Sequence, residues 1–335
     1  MVTVVEDLTT RYRVLVSGRV LSAVFGLPLP QFSVAADWPG FFSKTTPDGF
    51  FCLAGVESLL FPVYPVTFDL TITAPFHQTF TQSVTITASS DLPLTLPDVA
   101  LPNNPVRLQG RVTLDDPDHT PVAGATVTID DTAVLTLRTP LHFNHPAGTP
   151  VQPVSLTATG TIKTLTVPAA QLGDTVTLNN RTGLAPGNVL RLGTAVSAEH
   201  AIIAAIVGSP ATPGEVKLTA VLQRSLPAGA TVELVTVGAP GAAVNLLDDV
   251  LVGEGALRLA GTMTAVAIQI TDAAPARREY HSLNALSDAH GYYRLDGLNR
   301  LAAITLHATD GTDNDSQDWT VNYRQPVNVI DFRLD

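Results

Sequence analysis

Cysteine is almost missing from this chain of 335 residues: Cys52 stands alone, so no disulfide within the chain and no cysteine-based zinc cage can form. Charge is scarce as well. Asp, Glu, Lys and Arg make up 15% of the residues, well under the usual quarter, and the formal net charge is -11. Lysine occurs only at positions 44, 163 and 217, so the clustered cations that release counterions from a phosphate backbone are lacking, and nucleic acid is not an expected partner. Long apolar runs are lacking too. The stretch 198–209 contains Glu199 and His200 and is too short to cross a hydrocarbon layer of about 30 Å as a helix, so no membrane span is expected. The start, Met1-Val2-Thr3-Val4-Val5-Glu6-Asp7, has neither the basic residues nor the apolar core of an export signal. Cytoplasmic synthesis follows as the expectation.

What is abundant is Thr, Val, Ala, Leu, Pro and Gly, with 45% hydrophobic residues, the balance of many short strands joined by tight turns. Two strings occur twice. Asp48-Gly49-Phe50-Phe51-Cys52-Leu53 returns as His290-Gly291-Tyr292-Tyr293-Arg294-Leu295, and each is preceded by a Gly-Arg-Val, at Gly18-Arg19-Val20 and Gly110-Arg111-Val112. One β-fold used twice explains the pairing. The first copy closes after about thirty residues and the second after nearly 180, so something large interrupts the second.

Strands are expected at 31–36, 50–53, 66–73, 80–87 and 92–99, opened by a half-buried strand in which Tyr12, Val14 and Val16 face one way and Arg11, Arg13 and Leu15 the other. Phe51 and Leu53 beside Cys52 suggest a buried thiol. Pro102-Asn103-Asn104-Pro105 is a stiff polar joint, and a second set begins with 106–114 and 124–129. A further repeat then appears: 134–154 resembles a stretch eighty-one positions later, aligning Leu141 with Leu222, Pro146 with Pro227, Gly148 with Gly229 and Val151 with Val232. Glycine-spaced strands at 165–167, 174–178, 189–192 and 201–207 read as a small inserted module. Beyond it the pattern predicts a short helix at 243–250, a strand at 264–271, a polar loop through Arg277, Arg278 and Glu279, and closing strands at 291–295, 303–308, 319–323 and 327–334.

Gly18-Arg19-Val20 with Asp48-Gly49-Phe50-Phe51, and Pro121-Val122-Ala123-Gly124-Ala125 with Ser287-Asp288-Ala289-His290-Gly291-Tyr292, resemble the carboxypeptidase regulatory-like domain, a transthyretin-like seven-stranded sandwich. The resemblance covers about half the chain and implies fold, not reaction, since such sandwiches serve as spacers, stalks and accessory domains. The second copy departs from the first in having His290 where Asp48 stands. The insert, with Gly187-Asn188-Val189-Leu190-Arg191-Leu192-Gly193 and a Pro-Ala-Gly ending, looks like small β-modules in phage tails and contractile injection particles.

Chemistry is harder to find. There is no Gly-x-Ser-x-Gly elbow, no His-Glu-x-x-His, and neither a phosphate-loop nor a dinucleotide glycine string. His142 and His145 would share a metal only if a turn brought them together, because residues three apart on a strand face opposite ways and no third ligand is near in sequence; a solvated hairpin end is the expectation. The carboxylates Asp310, Asp313 and Asp315 are weak candidates for Ca²⁺, but they lack the glycine and the glutamate of an EF-hand, and a polar loop between strands is expected. His200 beside Glu199 reads as a strand pair with one residue outward. Trp38-Pro39-Gly40-Phe41-Phe42 has two readings: a loop-tip anchor for a partner, or a plug of the sandwich end against Phe25 and Phe61.

The expected architecture is all-β: two transthyretin/Ig-like sandwiches, 10–101 and the discontinuous 105–154 with 238–335, the second interrupted by a small β-module at 155–237. The expected role is a non-enzymatic structural or adaptor subunit of a large assembly, in its most specific form a phage-tail-like contractile injection particle. Its partners would be other protein subunits, copies of itself included, and no cofactor is expected. Trp38, Phe41, Phe42, Arg277, Arg278 and Tyr280 are the expected interface residues. The alternative is an adhesin-like module whose aromatic loop stacks on glycans. An enzyme would need a cleft of convergent titratable groups that spacing alone does not reveal.

Overall fold

A bulge decides which side of the first strand faces inward. In Arg13–Ser22 the register slips between Val14 and Val16, so Leu15 and Val16 are both buried while Val14 is exposed, and simple alternation resumes only beyond that point. The sequence expectation that Val14 and Val16 share a face fails for this reason. The structure, a computed structural model, describes residues 12–61, 63–273 and 276–335; Arg11, the acidic start at 1–7 and the expected domain boundary at residue 10 lie outside the described residues.

Two units divide at Asn104 and Pro105. In the first, the sheet Phe42–Thr45, Phe50–Gly55, Arg13–Ser22 is extended by Leu94–Thr95 and Val99–Leu101, both parallel to Arg13–Ser22, and it faces a sheet of Ser33–Ala36, Val66–Thr73 and Phe80–Ile86. In the second unit the same plan recurs. Tyr292–Leu298 pairs with Val106–Leu114, which is joined in parallel by Val327–Val329 and Phe332–Leu334, and the facing sheet is Ala285–Leu286, Thr126–Ile129, Ala303–Thr309 and Asn314–Thr320. Strands 106–129 and 291–334 therefore share one sandwich, although more than 150 residues separate them.

The register is the same in both copies. Arg19 sits opposite Phe50 and Arg111 opposite Tyr292, while the amides of Val20 and Val112 each donate to the carbonyls of Gly49 and Gly291 at 2.8 Å. These glycines have φ of 80° and 77°, and a Cβ on either would collide with the carbonyl oxygen of Val20 or Val112. Asp48 and His290 meet Arg19 and Arg111 through their backbone oxygens and not their side chains, which explains how an acid and an imidazole occupy one place in the repeat. Cys52 is half-buried, because Phe51 and Leu53 take the inward positions and alternation turns the thiol to the outer face.

The interruption of the second sandwich is larger than expected, and nested. Segments 134–153 and 244–283, which the sequence reading gave to the sandwich itself, close a separate core of Leu135, Leu137, Leu141, Val151, Ile268, Ile270 and Leu283. Its strands are Val134–Thr136 with Ala256–Arg258, and Val244–Asn245, Pro150–Pro153, Ala267–Ala273 and Ala276–Ser282 in one sheet. Inside this middle module lies an inner one, the six-stranded sheet Leu156–Thr164, Thr231–Val237, Val189–Leu192, Glu199–Ile206, Gly214–Leu218, Thr175–Leu178. No helix forms at 243–250. Leu246 and Val250 have helical spacing, but they bond instead to the backbone of Thr149 and His145. Arg277 and Arg278 likewise lie on a strand, not in a loop. The last segment is two short strands broken at Ile330 and Asp331, and the preceding strand runs Asn314–Thr320, earlier than expected.

The eighty-one-residue repeat explains the nesting. Leu141 exchanges backbone hydrogen bonds with Gly253 and Glu254 as Leu222 does with Leu172 and Gly173; His145 pairs with Val250 as Leu226 pairs with Ala169; the Gly148 amide donates to Leu246 as that of Gly229 donates to Leu165. Each module thus combines the front of one repeat with the back of the other, so neither repeat closes a core alone.

Candidate functional site

The two modules place one buried carboxylate each at equivalent positions. Glu279 lies opposite Ile270 and accepts the His142 amide at 2.7 Å, while Glu199 lies opposite Leu192 and accepts the amide of Gln223, the repeat counterpart of His142, also at 2.7 Å. Both side chains are sealed from solvent, and both are used by backbone donors that nothing else satisfies. What breaks the symmetry is histidine. The His142 ring spans both acids, with Nδ1 at 3.0 Å from Glu279 Oε2 and Nε2 at 2.9 Å from Glu199 Oε1.

Two further rings complete the cluster. His281 Nε2 is 2.9 Å from Glu279 Oε2 and its Nδ1 is 3.0 Å from the Thr139 carbonyl oxygen. His145 meets Glu279 Oε1 through Nε2 and Asp272 Oδ2 through Nδ1 at 2.9 Å, and Asp272 Oδ1 accepts the Thr149 hydroxyl. His145 and Glu279 are 1% and 3% exposed, so the cluster lies wholly within the protein. Burial disfavours charge on the His142 ring, yet its hydrogen bonds to the Glu199 and Glu279 carboxylates outweigh it and lift its pKa to about 9. For Glu279 burial acts upward, but His281, His142 and His145 hold its carboxyl well below the usual range. His200, in the same region with no acid partner, is pushed down to about 3 by burial and by the cations around it.

Beside this cluster, Asp296 gathers three guanidiniums: Arg294 at 2.6 Å, Arg107 at 2.8 Å and Arg224 at 3.0 Å. Glu254, fully buried, takes Arg300 through both oxygens at 2.9 and 3.1 Å. Arg224 and Glu254 come from the inserted modules, so their pairs with Asp296 and Arg300 fasten the second sandwich to them.

The structure separates the sequence-predicted site residues. Trp38 and Phe41 are half-buried and pack on Phe61, with ring centroids 6.4 and 5.9 Å away, closing the end of the sandwich; Phe25 takes no part and is exposed. Phe42 is exposed and meets Tyr12 edge-on at 5.1 Å. Arg277 and Arg278 are exposed, the former over the Phe143 ring at 5.6 Å, but Tyr280 is buried between the middle and inner modules and offers no surface. Asp310 caps its own turn by accepting the Thr312 and Asp313 amides, and Asp315 accepts the Arg333 amide, so these acids do not converge on a cation.

The reading of His142 and His145 as a solvated hairpin end is overturned, as is that of Glu199 and His200 as a half-outward pair: all four are buried. Residues 138–149 are not a strand, so the alternation rule that kept the two histidines apart does not apply to them. A third partner does exist, but it stands 137 positions from His142. The signal that was available is the pattern Glu279-x-His281 in an otherwise charge-poor chain, together with His-x-x-His at 142 and 145.

No family model matches the chain, and no curated protein does. Among solved structures, the major pilin subunit of Bacillus cereus aligns over 97% of this chain and 100% of its own, with 7% identity and a TM-score of 0.23. Among the described residues no helix is long and apolar enough to cross a membrane.

Proposed function

We propose that this chain is a non-enzymatic structural or adaptor subunit of a large protein assembly, a phage-tail-like contractile injection particle in its most specific form, in which rigid β-domains dock neighbouring subunits. The observation that carries this reading is a surface feature made twice. Arg19 lies over the exposed Phe50 ring at 5.2 Å and Arg111 over the exposed Tyr292 ring at 5.1 Å, at the same place in the two sandwiches. An aromatic held beneath a guanidinium is preorganised and loses little entropy on docking, and Arg and aromatic residues dominate interface hot spots. Two such faces on one chain make a connector.

Co-sedimentation with the assembled particle tests it, using Phe50→Ala, Tyr292→Ala and the double variant. Each single change is expected to weaken association about tenfold or more, with the double variant left free, while melting temperatures stay near that of the wild type because both rings are exposed. A double variant that sediments as the wild type does would refute the docking role. The exposed Tyr12–Phe42 pair supports a second reading, glycan stacking by an adhesin-like chain, for which a glycan array is the discriminating measurement.

A further inference from the structure

The rings of His142 and His281 are stacked, with centroids 5.4 Å apart and planes 24° from parallel, and each turns one nitrogen to Glu279 Oε2 and the other to an acceptor outside the trio. For His281 the outer acceptor is the Thr139 carbonyl; for His142 it is Glu199. In the neutral form that a metal ion requires, an acceptor there keeps the ring proton on the outer nitrogen, so the inner nitrogen presents its lone pair. Two lone pairs and a carboxylate oxygen then point at one another in the protein interior. Such an arrangement repels itself unless a cation lies among them.

The geometry points to a binding site for a divalent transition-metal ion of the zinc class, ligated by His142 Nδ1, His281 Nε2 and the Glu279 carboxylate. Ligand atoms of these three residues all lie within 4.8 Å of one another. His145 holds the other oxygen of Glu279, and is itself held by Asp272, so the carboxylate cannot turn away. Imidazole with carboxylate suits zinc and its neighbours over Ca²⁺ or Mg²⁺, and burial of all three ligands leaves a substrate no access to the ion. Glu199 is a positioning residue: it touches no metal, but orients the His142 ring from the inner module. The ion would clasp the loop 138–149 to the strand Ala276–Ser282 and, through Glu199, tie the two modules together. The site is independent of the docking faces on the sandwiches. Its rival occupant is protons alone, which would leave a network of imidazoliums and carboxylates.

The test uses the full chain refolded from denaturant with Co²⁺ or Zn²⁺, since a sealed site loads during folding, then dialysed and assayed for metal. One Co²⁺ per chain is expected, with the visible absorption of a low-coordinate nitrogen and oxygen site that Zn²⁺ bleaches, and with a raised melting temperature. His281→Gln should abolish binding, and Glu199→Gln should weaken it about 10–100-fold. Asp310→Asn should leave it unchanged. If His281→Gln fails to fold, the Glu199→Gln affinity and the wild-type stoichiometry decide. A refolded wild type that retains no metal above a metal-free control overturns the site in favour of protons alone, and binding that survives His281→Gln, or equal affinity in Glu199→Gln and wild type, overturns this ligand set.

Discussion

At the scale of single residues, the repeats show which positions the backbone constrains. Gly253 and Leu172 are repeat counterparts, and both sit in the left-handed region, with φ of 87° and 64°. Glycine occupies that region without cost, whereas a leucine there is strained by roughly 1–2 kcal/mol. Leu172 is 67% exposed, so its side chain contributes little burial to offset the strain. Leu172→Gly is therefore expected to stabilise the protein by about 0.5–1 kcal/mol, after allowing for the extra freedom of glycine in the unfolded chain. Urea denaturation of the two proteins checks this, and an unchanged or lower midpoint contradicts it. The glycines were legible in the sequence as turn signals. The strained leucine was not, because nothing in its neighbours marks a left-handed site.

At the scale of elements, the strand Tyr292–Leu298 fastens the second sandwich to its insert through Asp296. Burial raises the Asp296 pKa, but hydrogen bonds from Arg294 and Arg107 and the charge of Arg224 outweigh it and hold the group below its ordinary value. A depressed folded pKa means that the contribution is complete above the unfolded value of about 3.9 and is lost as pH falls through the folded one. Asp296→Asn is expected to cost about 3 kcal/mol at pH 7, since three guanidiniums lose their shared partner. The gap between wild type and variant should close as pH drops below about 4. Denaturant titrations at neutral and acid pH measure it; a gap constant with pH would mean that Asp296 acts through packing instead. The strand itself was readable from Gly291-Tyr292-Tyr293. Its partners Arg107 and Arg224 were not, because they come from segments far away in the chain.

At the scale of the whole molecule, the insertion joins the second sandwich where two of its strands are already neighbours: Val127 pairs with Ala285 and Thr126 with Leu286. Of the buried core residues of that sandwich only Ala256 comes from 131–284, with Val134 packed at its edge, so most of its hydrophobic stabilisation survives removal of the insert. A chain with 131–284 replaced by a short Gly-Ser linker is expected to keep a cooperative melt and a β-type circular dichroism spectrum. Removing 156–237 alone should fail, because Val154, Val189, Val235, Ala267 and Tyr280 form one core across the middle and inner modules, and the His142 ring would lose Glu199. A stable product from the second deletion, or an unfolded one from the first, contradicts the nesting.

The amino-acid sequence by itself determined the all-β class, the twofold use of one sandwich and the eighty-one-residue repeat. Those properties rest on local patterns: alternation, glycine at turns, and recurrence at fixed spacing. Tertiary structure alone decided that each repeat lends half of itself to the other, and that His142, His145, His281, Glu199 and Glu279 meet in the interior. Hydrogen bonds between side chains 57 to 137 positions apart leave no periodic trace, since any spacing serves once the backbone has brought the groups together.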